Sequence, residues 1–181
     1  MAFRSFIIRQ CGRADAEAIA VLATRLFRQA YGATHPESEL SSYLAREFAP
    51  MRVAAELANG GTCVWVAEAG PNETIGYVWL QDDMTPPTAT LPGSRPLHLR
   101  RIFVDAAWHG QGVAQALMAV CIAEAERRNA DALWLAVWQE AARPIAFYRK
   151  AGFSVAGTTT FEFGSHVDAD FIMARRVPQI E

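Results

Sequence analysis

The middle of the chain carries a strand, a glycine-rich turn, a helix and a second strand in direct succession, and this order limits the folds open to it. Residues 97–104 read as a strand, and Gly110 and Gly112 open a helical pattern over about 112–128. The next run, 132–138, is almost continuously apolar, which is typical of a strand buried on both faces. The sequence therefore predicts one mixed sheet covered by helices.

The patterns on either side extend this α/β (α+β) arrangement. The earlier part predicts a strand near 6–8, helices over about 15–28 and after Pro36, a short helical piece at 51–58, and a hairpin of strands 62–68 and 74–81. The later part predicts a helix that ends near Lys150 and strands near 153–163 and 168–177. The expected order is βααβββαβαββ, with a proline-containing loop over 82–96.

The composition is that of a globular protein, and we expect residues 1–181 to form a single domain. The chain is 51% hydrophobic and 20% charged, and its formal net charge is −2, so no basic excess indicates nucleic-acid binding. No apolar run reaches membrane-spanning length, and the first residues lack a signal-peptide pattern. Three scattered cysteines show no metal-ligand spacing. These features predict a cytoplasmic protein.

The glycine-rich turn is a candidate phosphate site. A helix that starts there presents unpaired backbone N–H groups and the positive end of its dipole. Gly110 and Gly112 remove side chains that would block a phosphate. Gln115 breaks the GxGxxG dinucleotide pattern, and two glycines can also simply form a tight turn, so the turn alone leaves both interpretations open.

Two motifs together resemble the GNAT family of N-acetyltransferases. That family's Arg/Gln-x-x-Gly-x-Gly/Ala pattern is similar to His109-Gly110-Gln111-Gly112-Val113-Ala114, and its aromatic-Tyr pair before Gly-Phe is similar to Phe147-Tyr148 and Gly152-Phe153. Looser stretches resemble the PaiA-type bacterial polyamine acetyltransferases: 35–37, 43–44, 99–104, 133–138 and 170–173. The resemblance implies a mixed, mostly antiparallel sheet flanked by helices.

The resemblance also implies acetyl-CoA as co-substrate, without a metal. The pantetheine arm would pair with the backbone of Ile102, Phe103 and Val104. The pyrophosphate would lie on His109, Gly110, Gln111, Gly112, Val113 and Ala114. Tyr148 would be the general acid that protonates the CoA sulfur. The family often has Asn where this chain has Ala141, so Arg143 or a backbone group would supply that contact.

The general base and the acceptor pocket are less defined. A Glu often found on the strand before the turn is replaced by Arg100, which leaves His98, on the same strand face, as a candidate base. Glu68, Asp82 and Asp83 are alternatives, although solvated surface roles suit them as well. The resemblance places Tyr31 and His35 in the acceptor pocket.

The leading hypothesis is an N-acetyltransferase that moves an acetyl group to the primary amine of a small molecule, with a polyamine as one candidate, by direct transfer in a ternary complex. A protein or peptide N-acetyltransferase and a non-catalytic acyl-CoA-binding regulator are the alternatives. Dimers are common in the family, so a homodimer is a further expectation.

Overall fold

The computed structural model describes residues 4–71, 73–82, 84–86 and 88–178. Its elements follow in this order: β1 (Ile7–Gln10), α1 (Ala16–Tyr31), α2 (Glu37–Glu47), α3 (Pro50–Ala58), β2 (Thr62–Gly70), β3 (Glu73–Gln81), β4 (Pro96–Val104), α4 (Val113–Arg127), β5 (Ala132–Trp138), α5 (Ala142–Lys150), β6 (Ser154–Phe163) and β7 (His166–Arg176). Short 3-10 turns occupy Arg13–Asp15 and Ala106–Trp108.

These elements confirm the predicted strands and helices, with shifts of a few residues at their ends. The segment predicted as a short helical piece is the separate helix α3, so three helices rather than two lie between β1 and β2. Pro50 stands in the first turn of α3, where its missing N–H costs no hydrogen bond.

The sheet is mixed and mostly antiparallel, as predicted. Its strands lie in the order β1-β2-β3-β4-β5-β7-β6. The pairs β1–β2, β5–β7 and β6–β7 are antiparallel, whereas β4 pairs with β5 in parallel. This parallel pairing joins Pro96–His98 to Ala132–Trp134. Parallel neighbours require a crossover connection, and α4 forms most of it here.

The chain forms two compact units. Within the described residues, the first comprises positions up to 79 together with 101–117, and the second comprises 80–100 together with 118–178. In the first, the ring of Phe27 packs against the rings of Tyr31, Tyr43 and Phe103. In the second, Trp134, Ile172 and Ala174 form a buried cluster covered by Ala89, Leu91 and Ala156. That residues 1–181 act as one domain stays a prediction.

Two further features concern the cysteines and the lengths of the helices. The cysteines at positions 11, 63 and 121 are free thiols. None of the helices in the described part of the chain is both long and apolar enough to cross a bilayer.

Candidate functional site

The glycine-rich turn has a backbone that favours glycine at two positions. Gly110 has a φ of 80° and Gly112 a φ of 86°, both in the left-handed region that disfavours side chains. A Cβ at either position would meet no atom within 4 Å, so the space over the turn is open. Since α4 begins at Val113, its first N–H groups lack intrahelical acceptors. The turn can therefore receive an anion through its backbone.

Helix α1 holds the start of this turn through a network that the sequence alone did not predict. Asp105 forms an ion pair with Arg25, and its Oδ1 accepts a hydrogen bond from the Ala107 N–H at 3.0 Å. The Ala106 N–H donates to Gln29 Oε1 at 3.0 Å, and Arg25 Nη2 donates to the Thr74 carbonyl at 2.9 Å. These partners lie far apart in the sequence. The only local signal was Asp105, which stands two residues before the Ala107 N–H that it caps.

The protonation of Asp105 reflects the same contacts. Burial acts to raise the pKa of Asp105, but the hydrogen bonds from Arg25 and from the Ala107 backbone outweigh it and hold the pKa below its ordinary value. The carboxylate is therefore charged at neutral pH and stays paired with Arg25.

His109 lies on the surface over the end of β4. Its Nε2 is 3.1 Å from the Val104 carbonyl oxygen, to which a protonated Nε2 donates. Ile102, Phe103 and Val104 are half-buried, and the Phe103 ring stacks on Tyr77 at 5.8 Å. The Val104 carbonyl, one of the backbone groups predicted to pair with pantetheine, thus already has a protein partner. Contact between His109 and phosphate stays a prediction, and it would use Nδ1.

His98, the candidate base, lies flat on an indole in the second unit. Its ring stacks on Trp134 with 3.9 Å between centroids and 7° between planes. Trp134 is itself fixed, because its Nε1 donates to the Met84 carbonyl at 2.7 Å. This packing holds the imidazole flat against the indole, and its Nδ1 is a buried atom. The assignment stays a prediction.

Two of the other candidate bases, Glu68 and Asp82, form ion pairs. Glu68 pairs with Arg9 at 2.9 Å, and Asp82 pairs with Arg128 at 2.5 Å. Asp83 lies outside the described residues. Neither described carboxylate is therefore a strong alternative to His98.

Tyr148, the candidate acid, lies on α5 and is 9% exposed. Its ring contacts the rings of Phe147 at 5.5 Å and Phe153 at 5.9 Å. The Phe153 N–H donates to the Tyr148 carbonyl at 3.0 Å, which fixes the end of the helix. Arg143 is exposed in the first turn of α5.

Tyr31 and His35, the candidate acceptor residues, come together at the end of α1. Their rings make an edge contact at 5.5 Å, and the His35 N–H donates to the Tyr31 carbonyl at 3.1 Å. His35 is 7% exposed, and its Nδ1 lies 2.9 Å from Thr34 Oγ1. A buried imidazole beside a phenol makes a small polar surface within the first unit.

Two buried carboxylates on β7 were likewise not predicted from the sequence. Asp168 and Asp170 are each 7% exposed. His166 Nε2 lies 3.1 Å from Asp168 Oδ1, whereas Asp170 Oδ1 has no hydrogen-bond partner among the described residues. Burial, and then the charge of Asp168, raise the pKa of Asp170 to about 6. The alternation of acids at 168 and 170 on a strand was the available signal.

A surface groove in the second unit offers no acid or base. It has a volume of about 600 Å³ and is lined by Thr88, Gln139, Thr158, Thr159, Thr160 and Ala169. Hydroxyls and one amide can bind polar groups but do not titrate near neutral pH. We therefore do not assign the reaction to it.

Comparison with known proteins identifies relatives across nearly the whole chain. Residues 60–155 match the family model described as an acetyltransferase (GNAT) domain. An uncharacterised N-acetyltransferase of Mycobacterium bovis is 29% identical over 165 residues, which cover 90% of this chain and 98% of that protein.

Two solved structures share the fold. The PaiA N-acetyltransferase from Thermoplasma acidophilum in complex with coenzyme A has a TM-score of 0.76 and 19% identity, covering 95% of this chain and 99% of that one. The ribosomal-protein alanine N-acetyltransferase from Escherichia coli has a TM-score of 0.65 and 19% identity, covering 98% and 97%. At such identities the likeness concerns the fold and leaves the acceptor open.

Proposed function

Because this chain belongs to the GNAT family of acetyltransferases, as the match over residues 60–155 shows, we propose that it transfers the acetyl group of acetyl-CoA to the primary amine of a small molecule, with a polyamine as the first candidate. The transfer is direct, within a ternary complex of enzyme, acetyl-CoA and amine. No covalent acetyl-enzyme takes part.

The observation that carries this proposal is the open turn before α4. Gly110 and Gly112 keep the approach to the turn free of side chains. The pyrophosphate of acetyl-CoA lies on residues 110–114, where the helix dipole favours negative charge. His109 replaces the family's more usual Arg or Gln, so the backbone N–H groups of Gly110, Gly112, Val113 and Ala114 provide most of the binding. The Gln111 N–H donates instead to the Trp108 carbonyl at 3.2 Å.

The pantetheine arm extends along β4 in this proposal. The backbone groups of Ile102 and Phe103 pair with its amides, whereas the Val104 carbonyl already accepts a hydrogen bond from His109. Arg143 is exposed in the first turn of α5 and adds a positive charge for the phosphates, which offsets the absence of an amide side chain at Ala141.

The chemistry needs two protons removed from the nitrogen and one delivered to the sulfur. His98, through water, accepts the first proton from the acceptor ammonium, and the neutral amine attacks the acetyl carbonyl carbon. As the tetrahedral intermediate collapses, the C–S bond breaks, Tyr148 donates its phenolic proton to the sulfur, and the nitrogen releases its second proton to water. The products are an N-acetylated amine and coenzyme A thiol. Solvent then restores both protonation states.

Tyr31 and His35 support a small acceptor. Their edge contact and the burial of His35 form a compact polar surface that suits a single amine-bearing group. A peptide acceptor is the second candidate, because the Escherichia coli enzyme with the same fold is named for a protein alanine. A regulator that binds acyl-CoA without turnover is the third, because Arg100 and Ala141 depart from the family pattern.

A turnover screen separates these candidates. Coenzyme A thiol release is measured with acetyl-CoA and, in turn, polyamines, aminoglycosides, amino acids and peptides, and acetyl-CoA binding is followed by the rise in melting temperature. The proposal expects turnover to be highest with a small amine. Turnover confined to peptides would establish the second candidate, and a melting shift without turnover would establish the third. No shift with any acyl-CoA would contradict the cofactor assignment.

A further inference from the structure

Two carboxylates of β7 take part in none of the catalytic steps proposed above. Asp168 and Asp170 lie two residues apart, so their side chains project from the same face of the strand, and Ala169 between them is exposed on the other. Asp170 is paired in register with Trp138 of β5 and Thr159 of β6. An acid in the interior of a sheet, between an indole and a hydroxyl, requires an explanation.

Asp170 is buried without the partners that burial requires. It is 7% exposed, and its Oδ1 is a buried atom that has no hydrogen-bond partner among the described residues. Gln139 Nε2 reaches only the main-chain carbonyl of Asp170, at 3.4 Å. Because an unsatisfied buried carboxylate oxygen is costly, it indicates a group that is supplied from outside the chain.

The charge around Asp170 indicates a cation. Asp168, the neighbouring acid, is 3.1 Å from His166 Nε2 and acts on Asp170 by repulsion. The raised pKa of Asp170 reflects burial and this repulsion, and a cation beside the pair would relieve both. Trp138 is half-buried and lies directly opposite Asp170 in the strand register, and an indole ring also attracts cations.

We propose that Asp168, Asp170 and Trp138 bind a second ammonium group of the acceptor, one that is not acetylated, so that the enzyme selects diamines and polyamines. This rests on the proposed function, which supplies the amine. Two carboxylates beside the reacting nitrogen would stabilise its ammonium form and oppose attack. Beside a second nitrogen, the same charges contribute binding alone.

The strand register also shows that Asp170 lies some distance from His98, the candidate base. His98 is opposite Trp134 on β5, and Trp138 is four residues further along the same strand. At about 3.3 Å per residue, the two positions are about 13 Å apart along the strand. His98 and Asp170 would therefore contact different nitrogens of one extended acceptor.

The test compares two acceptors of equal length, diaminooctane with its terminal amines and octylamine, by kcat/KM at pH 8 with saturating acetyl-CoA. For the unchanged protein, we expect diaminooctane to be favoured at least tenfold. Asp170→Asn should remove most of that preference through KM, with little change in kcat and in the value for octylamine. Glu162→Gln, which removes an exposed acid from β6, is the matched control and should keep the preference.

The outcomes are distinguishable from failure of the proposed function. If the unchanged protein acetylates both amines equally, or if Asp170→Asn keeps the preference, the second-ammonium site is wrong while the transferase activity stands. If no amine is acetylated, the proposed function itself fails. Should Asp170→Asn misfold, Asp168→Asn removes the neighbouring charge and provides the same test, and an unchanged preference in that variant would overturn the second-ammonium site.

Discussion

Gly112 has a backbone conformation that favours glycine and lies in the turn that we propose binds acetyl-CoA. Its φ is 86° and an added Cβ would have no atom within 4 Å, so Gly112→Ala would introduce strain rather than a clash. We expect a loss of unfolding free energy of about 1–2 kcal/mol, the usual cost of the left-handed conformation. Relaxing that strain would move the N–H groups at the start of α4 and weaken acetyl-CoA binding about tenfold.

Calorimetric titration with acetyl-CoA and urea unfolding measure the two effects of Gly112→Ala. Gly60→Ala is the matched control, since Gly60 also has no atom within 4 Å of an added Cβ but is not among the residues with positive φ. Equal losses in both variants would show that the effect belongs to glycine replacement in general and not to the turn.

The proposed role of Tyr148 can be tested by removing its hydroxyl group alone. Tyr148→Phe keeps the ring between Phe147 and Phe153 and removes only the hydroxyl, so the packing of α5 should persist. If the phenol protonates the sulfur, kcat should fall about 100-fold, which is in the range for loss of a general acid. Acetyl-CoA affinity should stay within about twofold, because the hydroxyl contributes little to cofactor binding. Unchanged kcat with chemistry rate-limiting would exclude the role.

At the scale of elements, helix α1 positions the start of the glycine-rich turn through side-chain contacts. Arg25 of α1 binds both the Asp105 carboxylate and the Thr74 carbonyl, so Arg25→Met should free the residues before the turn. Its side chain is 46% exposed, so the stability loss should be below about 1 kcal/mol. Acetyl-CoA affinity should nevertheless fall several-fold, because the turn loses its fixed start.

The control for Arg25→Met is Arg52→Met. Arg52 has a similar side-chain exposure of 41% and pairs with Glu47 and Glu56, so the same charge and ion-pair type are removed elsewhere in the first unit. Acetyl-CoA affinity, measured by calorimetric titration, should not change in this variant. A similar loss of affinity in both would assign the effect to net charge.

The elements themselves were predictable because their signals are local. The apolar run 132–138 was predicted as a strand and is β5 with the same bounds, and the stop after Lys150 agrees with the end of α5. The third helix was only partly anticipated, because α3 has nine residues, a length at which the periodic signal is weak. Strands can be recognised even where the ends of elements are uncertain, because burial of one face makes apolar and polar residues alternate along the strand.

The contacts within the site were less predictable because they join distant parts of the chain. His109 was assigned to phosphate from its motif position, but the bond from its Nε2 to Val104 depends on how the turn folds back. Asp170 is opposite Trp138 of another strand, and only the strand register brings them together. Strand register and burial depend on the whole sheet, so no short segment of the sequence predicts the pKa of the Asp170 carboxyl.

At the scale of the whole molecule, titration of the carboxylates divides into two opposing groups. The pKa is lowered at Asp15, Glu37, Asp105, Glu124 and Asp131. At Asp105 and Asp131 burial acts to raise the pKa, but hydrogen bonds from backbone N–H groups, and from Arg25 at Asp105, outweigh it. Their stabilisation is present above the unfolded pKa and is lost on acidification, so the free energy of unfolding should fall below about pH 4.

Asp170 acts in the opposite direction. Burial and the neighbouring Asp168 raise its pKa from 3.8 to about 6, so its stabilising contribution is complete below the unfolded pKa and is lost as the pH rises through about 6. Because the two groups oppose each other, the unchanged protein should be most stable at about pH 4–5. At pH 8 the ionised Asp170, buried beside Asp168, should cost about 1–3 kcal/mol.

Urea unfolding of the unchanged protein and of Asp170→Asn from pH 4 to 8 measures this cost. The variant should be more stable by about 1–3 kcal/mol at pH 8, and the difference should shrink towards zero near pH 4, where the native aspartate is neutral. A difference that does not vary with pH would show that the substitution acts through packing and that Asp170 ionises normally. The stability difference could also grow with pH and become smaller when diaminooctane is added. This result would mean that the bound diamine neutralises the buried charge that destabilises the free protein.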